Sequence, residues 1–232
     1  IDDSALMRRV ISDIINSGGD YEVAAIARDG VEGFDLIVSN PHLYSAVILD
    51  INMPKMNGLE LLEKLQKNRI EQTVIVVSTV AKEGAKETIK ALELGAFDFV
   101  TKPENYLETK GETFKNNIHK MLDLATGSHR SKVDLRTTSF AKPGSVVRPA
   151  KPKPVVMPRK LEPGNFTGVK TGRKKIVALA CSTGGPKSLQ QVIPYLPKNL
   201  DAPVVLVQHM PAGFTFSLSQ RLNEISEVEV KE

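Results

Sequence analysis

Three kinds of residue in the first half of this 232-residue chain could carry chemistry together, and most of them end a short apolar run. Asp2 and Asp3 open the sequence, Asp50 ends the run Ala46–Leu49, Ser78 ends a second run and Lys102 a third. Ligands of open parallel sheets bind outside the carboxyl ends of strands, so strands in those runs would gather three carboxylates, a hydroxyl and an ammonium around one crevice. Clustered carboxylates repel unless a cation neutralises them, and an oxygen-rich site of this kind suits Mg²⁺. A carboxylate there can act as a nucleophile toward a phosphoryl group. Taken singly, each aspartate is equally a helix cap or a turn residue. Taken jointly, they point to phosphoryl chemistry.

A second constellation lies further on. Ala180-Cys181-Ser182-Thr183-Gly184-Gly185-Pro186 sits between an apolar run and a helical pattern. A serine on a tight strand-to-helix turn is exposed beside backbone N–H groups able to stabilise an oxyanion. The segment does not match G-x-S-x-G, and by itself Ser-Thr-Gly-Gly could also be a helix cap or a phosphate-binding turn. His209 follows the next apolar run, Val204–Gln208, and should therefore share a sheet edge with Ser182. A base beside a serine is the minimum for acyl transfer.

The elements that would position these groups alternate. Leu6, Val10, Ile11, Ile14 and Ile15 recur at helical spacing. Residues 21–27 read as a strand, 31–39 as a helix, 73–77 and 97–101 as strands, and Asn57 with Glu60 forms a capping-box pattern. Ala85, Ile89 and Leu92 mark one helix, and Phe114, Ile118, Met121 and Leu122 another. Apolar strands alternating with helices imply a parallel sheet covered on both faces. From residue 176 the alternation resumes: strands at 176–180 and 204–207, helices at 187–193 and 214–223, and a possible third strand at 228–230.

Between the two regions the pattern stops. Residues 127–175 hold 13 Lys and Arg against two Asp and Glu, and six of the 14 prolines. Such a segment buries too little apolar surface to offset the entropy of ordering, and reads as a flexible basic linker. The rest of the chain has 18 basic against 25 acidic residues. The overall charge of +4 is thus no sign of a nucleic-acid-binding face. No apolar run approaches the roughly 20 residues of a membrane span, and the single cysteine, Cys181, excludes an internal disulfide and fits a reducing cytoplasm.

Residues 1–125 resemble the receiver domains of two-component signalling through Asp2-Asp3-Ser4, Asp50-Ile51-Asn52-Met53-Pro54 with Asn57-Gly58, Val77-Ser78 and Thr101-Lys102-Pro103. The resemblance implies a flavodoxin-like doubly wound fold in which Asp50 is the phosphoacceptor. Asp2, Asp3, Asp50 and the backbone of Asn52 would hold Mg²⁺, Ser78 would bond the acyl phosphate, Lys102 would pair with it, and Phe99 would be the switch aromatic. Residues 176–223 resemble the catalytic domain of the chemotaxis protein-glutamate methylesterases, the CheB family, through Ser182-Thr183-Gly184-Gly185, Gln208-His209-Met210-Pro211, Phe214 and Arg221-Leu222. That implies a Rossmann-like α/β esterase domain with Ser182 as nucleophile, His209 as general base, and Thr183, Gly184 and Gly185 forming the oxyanion turn. Ester hydrolysis would need no cofactor.

The implied organisation is a receiver at 1–125, a linker at 126–174 and the first part of a methylesterase domain at 175–232. The implied activity is phosphorylation-activated hydrolysis of methylated glutamates, and deamidation of glutamines, on methyl-accepting chemoreceptors. A histidine kinase would supply the phosphoryl group, in the cytoplasm, with no nucleic-acid partner and no membrane insertion. The alternative is a response regulator with a non-catalytic or DNA-binding output. Cys181 stands where the family commonly has alanine, and should point away from Ser182. The third triad residue, an aspartate in the family, is expected beyond Glu232, as a first strand is expected ahead of Ile1. The 232 residues alone are therefore expected to be inactive or nearly so.

Overall fold

The computed structural model describes residues 1–79, 81–103, 111–127 and 175–232. The expected linker lies almost wholly outside these. The described residues of the first part form, in order, α1 (Ala5–Ser17), α2 (Gly30–Ser39), β1 (Val47–Asp50), α3 (Gly58–Lys67), β2 (Val74–Ser78), α4 (Lys82–Glu93), β3 (Asp98–Thr101) and α5 (Glu112–Thr126). The later residues add β4 (Val177–Cys181), α6 (Gly185–Val192), β5 (Val204–Gln208) and α7 (Phe214–Ile225).

β1, β2 and β3 form a parallel sheet in that order, with Asp50 beside Val77 and Ser78 beside Thr101. β2 is central and buried along its whole length. Its side chains alternate, Val74 and Val76 entering one apolar cluster and Ile75 and Val77 the other. The second cluster is closed by Val10, Ile11, Ile14 and Ile15 of α1 with Phe114, Ile118 and Leu122 of α5. The first is closed by α3 and α4 through Leu61, Leu62, Leu65, Ile89 and Leu92. It continues without a break into Leu189, Phe214, Leu218 and Leu222.

Local signals set the helix starts. Ser4 accepts from the Met7 N–H at the head of α1. Asn57 accepts from Glu60 N–H while Glu60 accepts from Asn57 N–H, the reciprocal capping box that the sequence pattern predicts.

Two expected strands do not form. Residues 21–27 join no ladder among the described residues, although Asp2 N–H donates to Ala27 O at 3.2 Å. Residues 228–230 form no ladder either, and Val230 N–H donates to the Asn223 side chain instead. Apolar alternation marks a segment fit for a strand, whereas the strand itself needs a ladder partner. Leu6, read as part of the inward stripe of α1, is half exposed.

β4 and β5 form a parallel pair in which Cys181 lies beside Gln208. Among the described residues no helix is long and apolar enough to cross a membrane.

Candidate functional site

At the carboxyl ends of β1 and β3 the expected groups meet. Ile1 donates its amino group to Ile48 O at 2.8 Å, and Asp50 N–H donates to Ile1 O at 2.9 Å, which sets Asp2 and Asp3 beside Asp50. Oxygens of Asp2, Asp3 and Asp50 all fall within 4.8 Å of one another. Asp2 and Asp50 are buried and Asp3 is exposed, so the cluster faces solvent on one side. Three hard carboxylate donors this close fit a divalent cation such as Mg²⁺.

Lys102 balances the cluster. Its Nζ donates to Asp50 Oδ2 at 2.6 Å and to Asp2 Oδ2 at 3.0 Å. Burial pushes the Asp50 carboxyl above its ordinary value, and the Lys102 hydrogen bond and charge offset only part of that. For Lys102, burial works to lower the pKa, yet the hydrogen bonds and charges of Asp50 and Asp2 together outweigh it and hold the ammonium above its usual range.

The Ser78 and Asn52 side chains have partners outside the carboxylate cluster. The Ser78 hydroxyl donates to Gly84 O at 3.2 Å and to Thr79 O at 3.4 Å, not to Asp50. The Asn52 side chain donates to Glu87 Oε2 at 3.2 Å. Phe99 is turned into the core, where its ring stacks on Phe214 with centroids 4.8 Å apart and planes 13° from parallel.

Ser182 and His209 follow adjacent parallel strands, and His209 N–H donates to Cys181 O at 3.1 Å. Both residues are exposed. The described residues contain no hydrogen bond between their side chains, so the structure brings them to one edge without engaging them. Gln208 Nε2 donates to Ser182 O at 2.9 Å and to His209 O at 3.0 Å, tying the two turns together. Gly184 adopts φ +72°, a conformation that L side chains rarely take. At Gly185 a Cβ would collide with the side-chain oxygen of Gln208 and come within 2.7 Å of Cys181 Cβ. Cys181 is half-buried against the first cluster. Asp201 pairs with Lys175 at 3.8 Å, at the opposite end of β5 from His209.

Sequence reasoning missed Asp98. Its carboxylate is buried, accepting from Phe99 N–H at 2.9 Å through Oδ1 and from Gly184 N–H at 2.8 Å through Oδ2. Burial raises its pKa, and the two backbone bonds counter this only in part. The sequence signal was an acid at the head of an apolar strand, one place before Phe99. Two further contacts join the same surfaces: Lys187 Nζ donates to Gly95 O at 3.1 Å, and Arg221 pairs with Glu93.

Comparison with known proteins matches both parts. A family model described as response regulator receiver domain matches residues 1–110, and one described as CheB methylesterase matches residues 177–232. The protein-glutamate methylesterase/protein-glutamine glutaminase of Pyrococcus abyssi (strain GE5 / Orsay) is 40% identical over 233 residues, covering 100% of this chain and 57% of the relative. The protein of the same description from Bacillus subtilis (strain 168) is 41% identical, covering 100% and 61% respectively. A crystal structure of the response regulator domain of Thermotoga maritima CheB is 37% identical with a TM-score of 0.45, covering 54% of this chain and 90% of that one. The chain thus spans about three fifths of the length of these two curated relatives.

Proposed function

Because this chain belongs to the family of CheB methylesterases with a receiver domain, we propose that it is the regulatory part and nucleophile-bearing edge of a phosphorylation-activated protein-glutamate methylesterase. Its substrates are methylated glutamates of chemoreceptors, with receptor glutamines deamidated by the same attack. The observation that carries this reading is the Asp98–Gly184 hydrogen bond. The strand leading to Lys102 thereby touches the turn that bears Ser182.

The receiver residues act on a phosphoryl group donated by a histidine kinase. Asp50 attacks the phosphorus and the donor leaves. Asp2, Asp3, Asp50 and the Asn52 backbone would hold Mg²⁺, which supplies countercharge to the phosphoryl oxygens. Lys102 and Ser78 then bind the added negative charge, shifting an existing equilibrium away from the resting arrangement.

At the esterase edge, Ser182 Oγ attacks the ester carbonyl while His209 takes its proton. Backbone N–H groups of Thr183 and Gly184 stabilise the oxyanion, while the Gly185 N–H closes the turn on Ser182 O at 2.8 Å. His209 returns the proton to the departing methoxide, methanol leaves, and water repeats the sequence to release glutamate. The Asp98 carboxylate stands against this chemistry in the resting form. It occupies Gly184 N–H and sets a negative charge beside a site that must accommodate another.

The test is methanol release from methylated receptor by protein spanning the relatives' full length, with and without a small-molecule phosphodonor and Mg²⁺. Release should rise with the phosphodonor, and Asp50→Ala should lose that rise while keeping the unstimulated rate. No release under either condition would overturn the esterase reading.

Asp98→Ala is expected to raise the unstimulated rate about twofold to tenfold, since it removes the Gly184 N–H bond that joins the two surfaces, a net contribution of about 0.5–1.5 kcal/mol. Its pH dependence has a definite sign. With the carboxyl's pKa raised in the docked form, the contact is most stable below the ordinary carboxylate range and loses stability as pH rises through the raised value. The ratio of variant to wild-type rate should therefore shrink as pH rises. A ratio of one at every pH would remove Asp98 from the regulatory contact.

A further inference from the structure

The buried end of β2 holds a hydrogen-bond arrangement that the phosphoryl chemistry leaves unexplained. Gly84 O, in the first turn of α4, receives two hydroxyls. Thr88 Oγ1 donates to it at 2.7 Å and Ser78 Oγ at 3.2 Å. Both side chains are out of solvent, Thr88 completely. A threonine bonding back to the carbonyl four residues earlier slightly weakens a helix. A valine of the same shape would fill the position without the back-bond. The Thr88 hydroxyl therefore serves something besides α4 itself.

We propose that Thr88 is a positioning residue for the phosphoryl switch: it holds the carbonyl at which Ser78 rests, keeping the resting Ser78 bond weak and releasable. The proposal rests on the receiver reading given above. The Ser78 hydroxyl is shared between two long contacts, to Gly84 O and to Thr79 O. Were Gly84 O deprived of the Thr88 hydroxyl, the Ser78 bond would shorten and Ser78 would be harder to draw toward a phosphoryl group on Asp50. The departure of Ser78 leaves no buried acceptor unpaired, because Gly84 O keeps both the Thr88 hydroxyl and the helical N–H of Thr88. The consequence reaches further than the pocket. α4 also packs on α6 and α7, so the helix untethered by the departure of Ser78 is the one that supports the esterase edge.

The test uses the 232-residue chain and beryllofluoride, an analogue of the phosphoryl group, titrated calorimetrically in saturating Mg²⁺. Thr88→Val should bind beryllofluoride about threefold to fivefold more weakly than wild type, the size of one neutral hydrogen bond's net effect. Mg²⁺ affinity measured alone should be unchanged, because Ser78 does not touch the carboxylate cluster. Thr88→Ser, which keeps the hydroxyl, should bind as wild type. Unaltered beryllofluoride binding in Thr88→Val overturns the proposal, as does a parallel loss of Mg²⁺ affinity, which would signal general damage. If wild type itself binds Mg²⁺ but no beryllofluoride, the receiver reading fails and this inference falls with it.

Discussion

Ser182→Ala, in protein spanning the relatives' full length, is expected to lower methanol release about a thousandfold or more, with or without phosphodonor. The size follows from the division of labour at the edge of β4 and β5. The turn places Ser182 in solvent beside backbone donors, and His209 stands one strand away. Without the hydroxyl, oxyanion stabilisation and binding remain but the covalent step is lost. Phosphorylation at Asp50 should be unaffected, as seen by the mass gained from a phosphodonor. Cys181 supplies the control. If Ser182→Ala retained activity and Cys181→Ser lost it, the nucleophile would be the thiol.

Lys102→Ala should be the most destabilising single change at the receiver's carboxylate cluster. The variant leaves Asp2 and Asp50 buried and facing one another without their shared ammonium. Removing one partner of a buried ion pair costs about 3–5 kcal/mol, chiefly through the stranded charge. For a domain of this size that is a fall in Tm of roughly 10 °C or more. Mg²⁺ should recover part of the loss, since a cation held by Asp2, Asp3 and Asp50 replaces the missing countercharge. A Tm within a degree or so of wild type, or a loss indifferent to Mg²⁺, would contradict this account of the cluster.

Much of this architecture is legible before any coordinates are considered, for identifiable reasons. The capping box at Asn57 and Glu60 is local, and a pattern of four residues suffices to read it. The β2 run is apolar on both faces because both faces are covered. The meeting of Asp2, Asp50 and Lys102 follows from strand ends in a parallel sheet. Partner-dependent features are not legible in the same way. Residues 21–27 carry the composition of a strand without the ladder that makes one. The resting orientation of Ser78 depends on a carbonyl in α4, and the role of Asp98 depends on Gly184, 86 residues away in sequence. Neither pairing leaves a period or a motif for a one-dimensional reading to detect.

The stack between Phe99 and Phe214 has an evolutionary corollary. Phe99 lies in the core that holds the receiver sheet together, and its ring also supports the first residue of α7. Offset aromatic pairs contribute about 0.5–1.5 kcal/mol beyond the area they bury. A replacement at position 99 is therefore judged twice, once for filling the receiver and once for lying flat against its neighbour. The second judgement cannot be met at position 99 alone. Across descendants of this chain the two positions should drift as a pair, a lone substitution at either being repaired at the other. The receiver and its output thus inherit a shared character, encoded at two sites 115 residues apart.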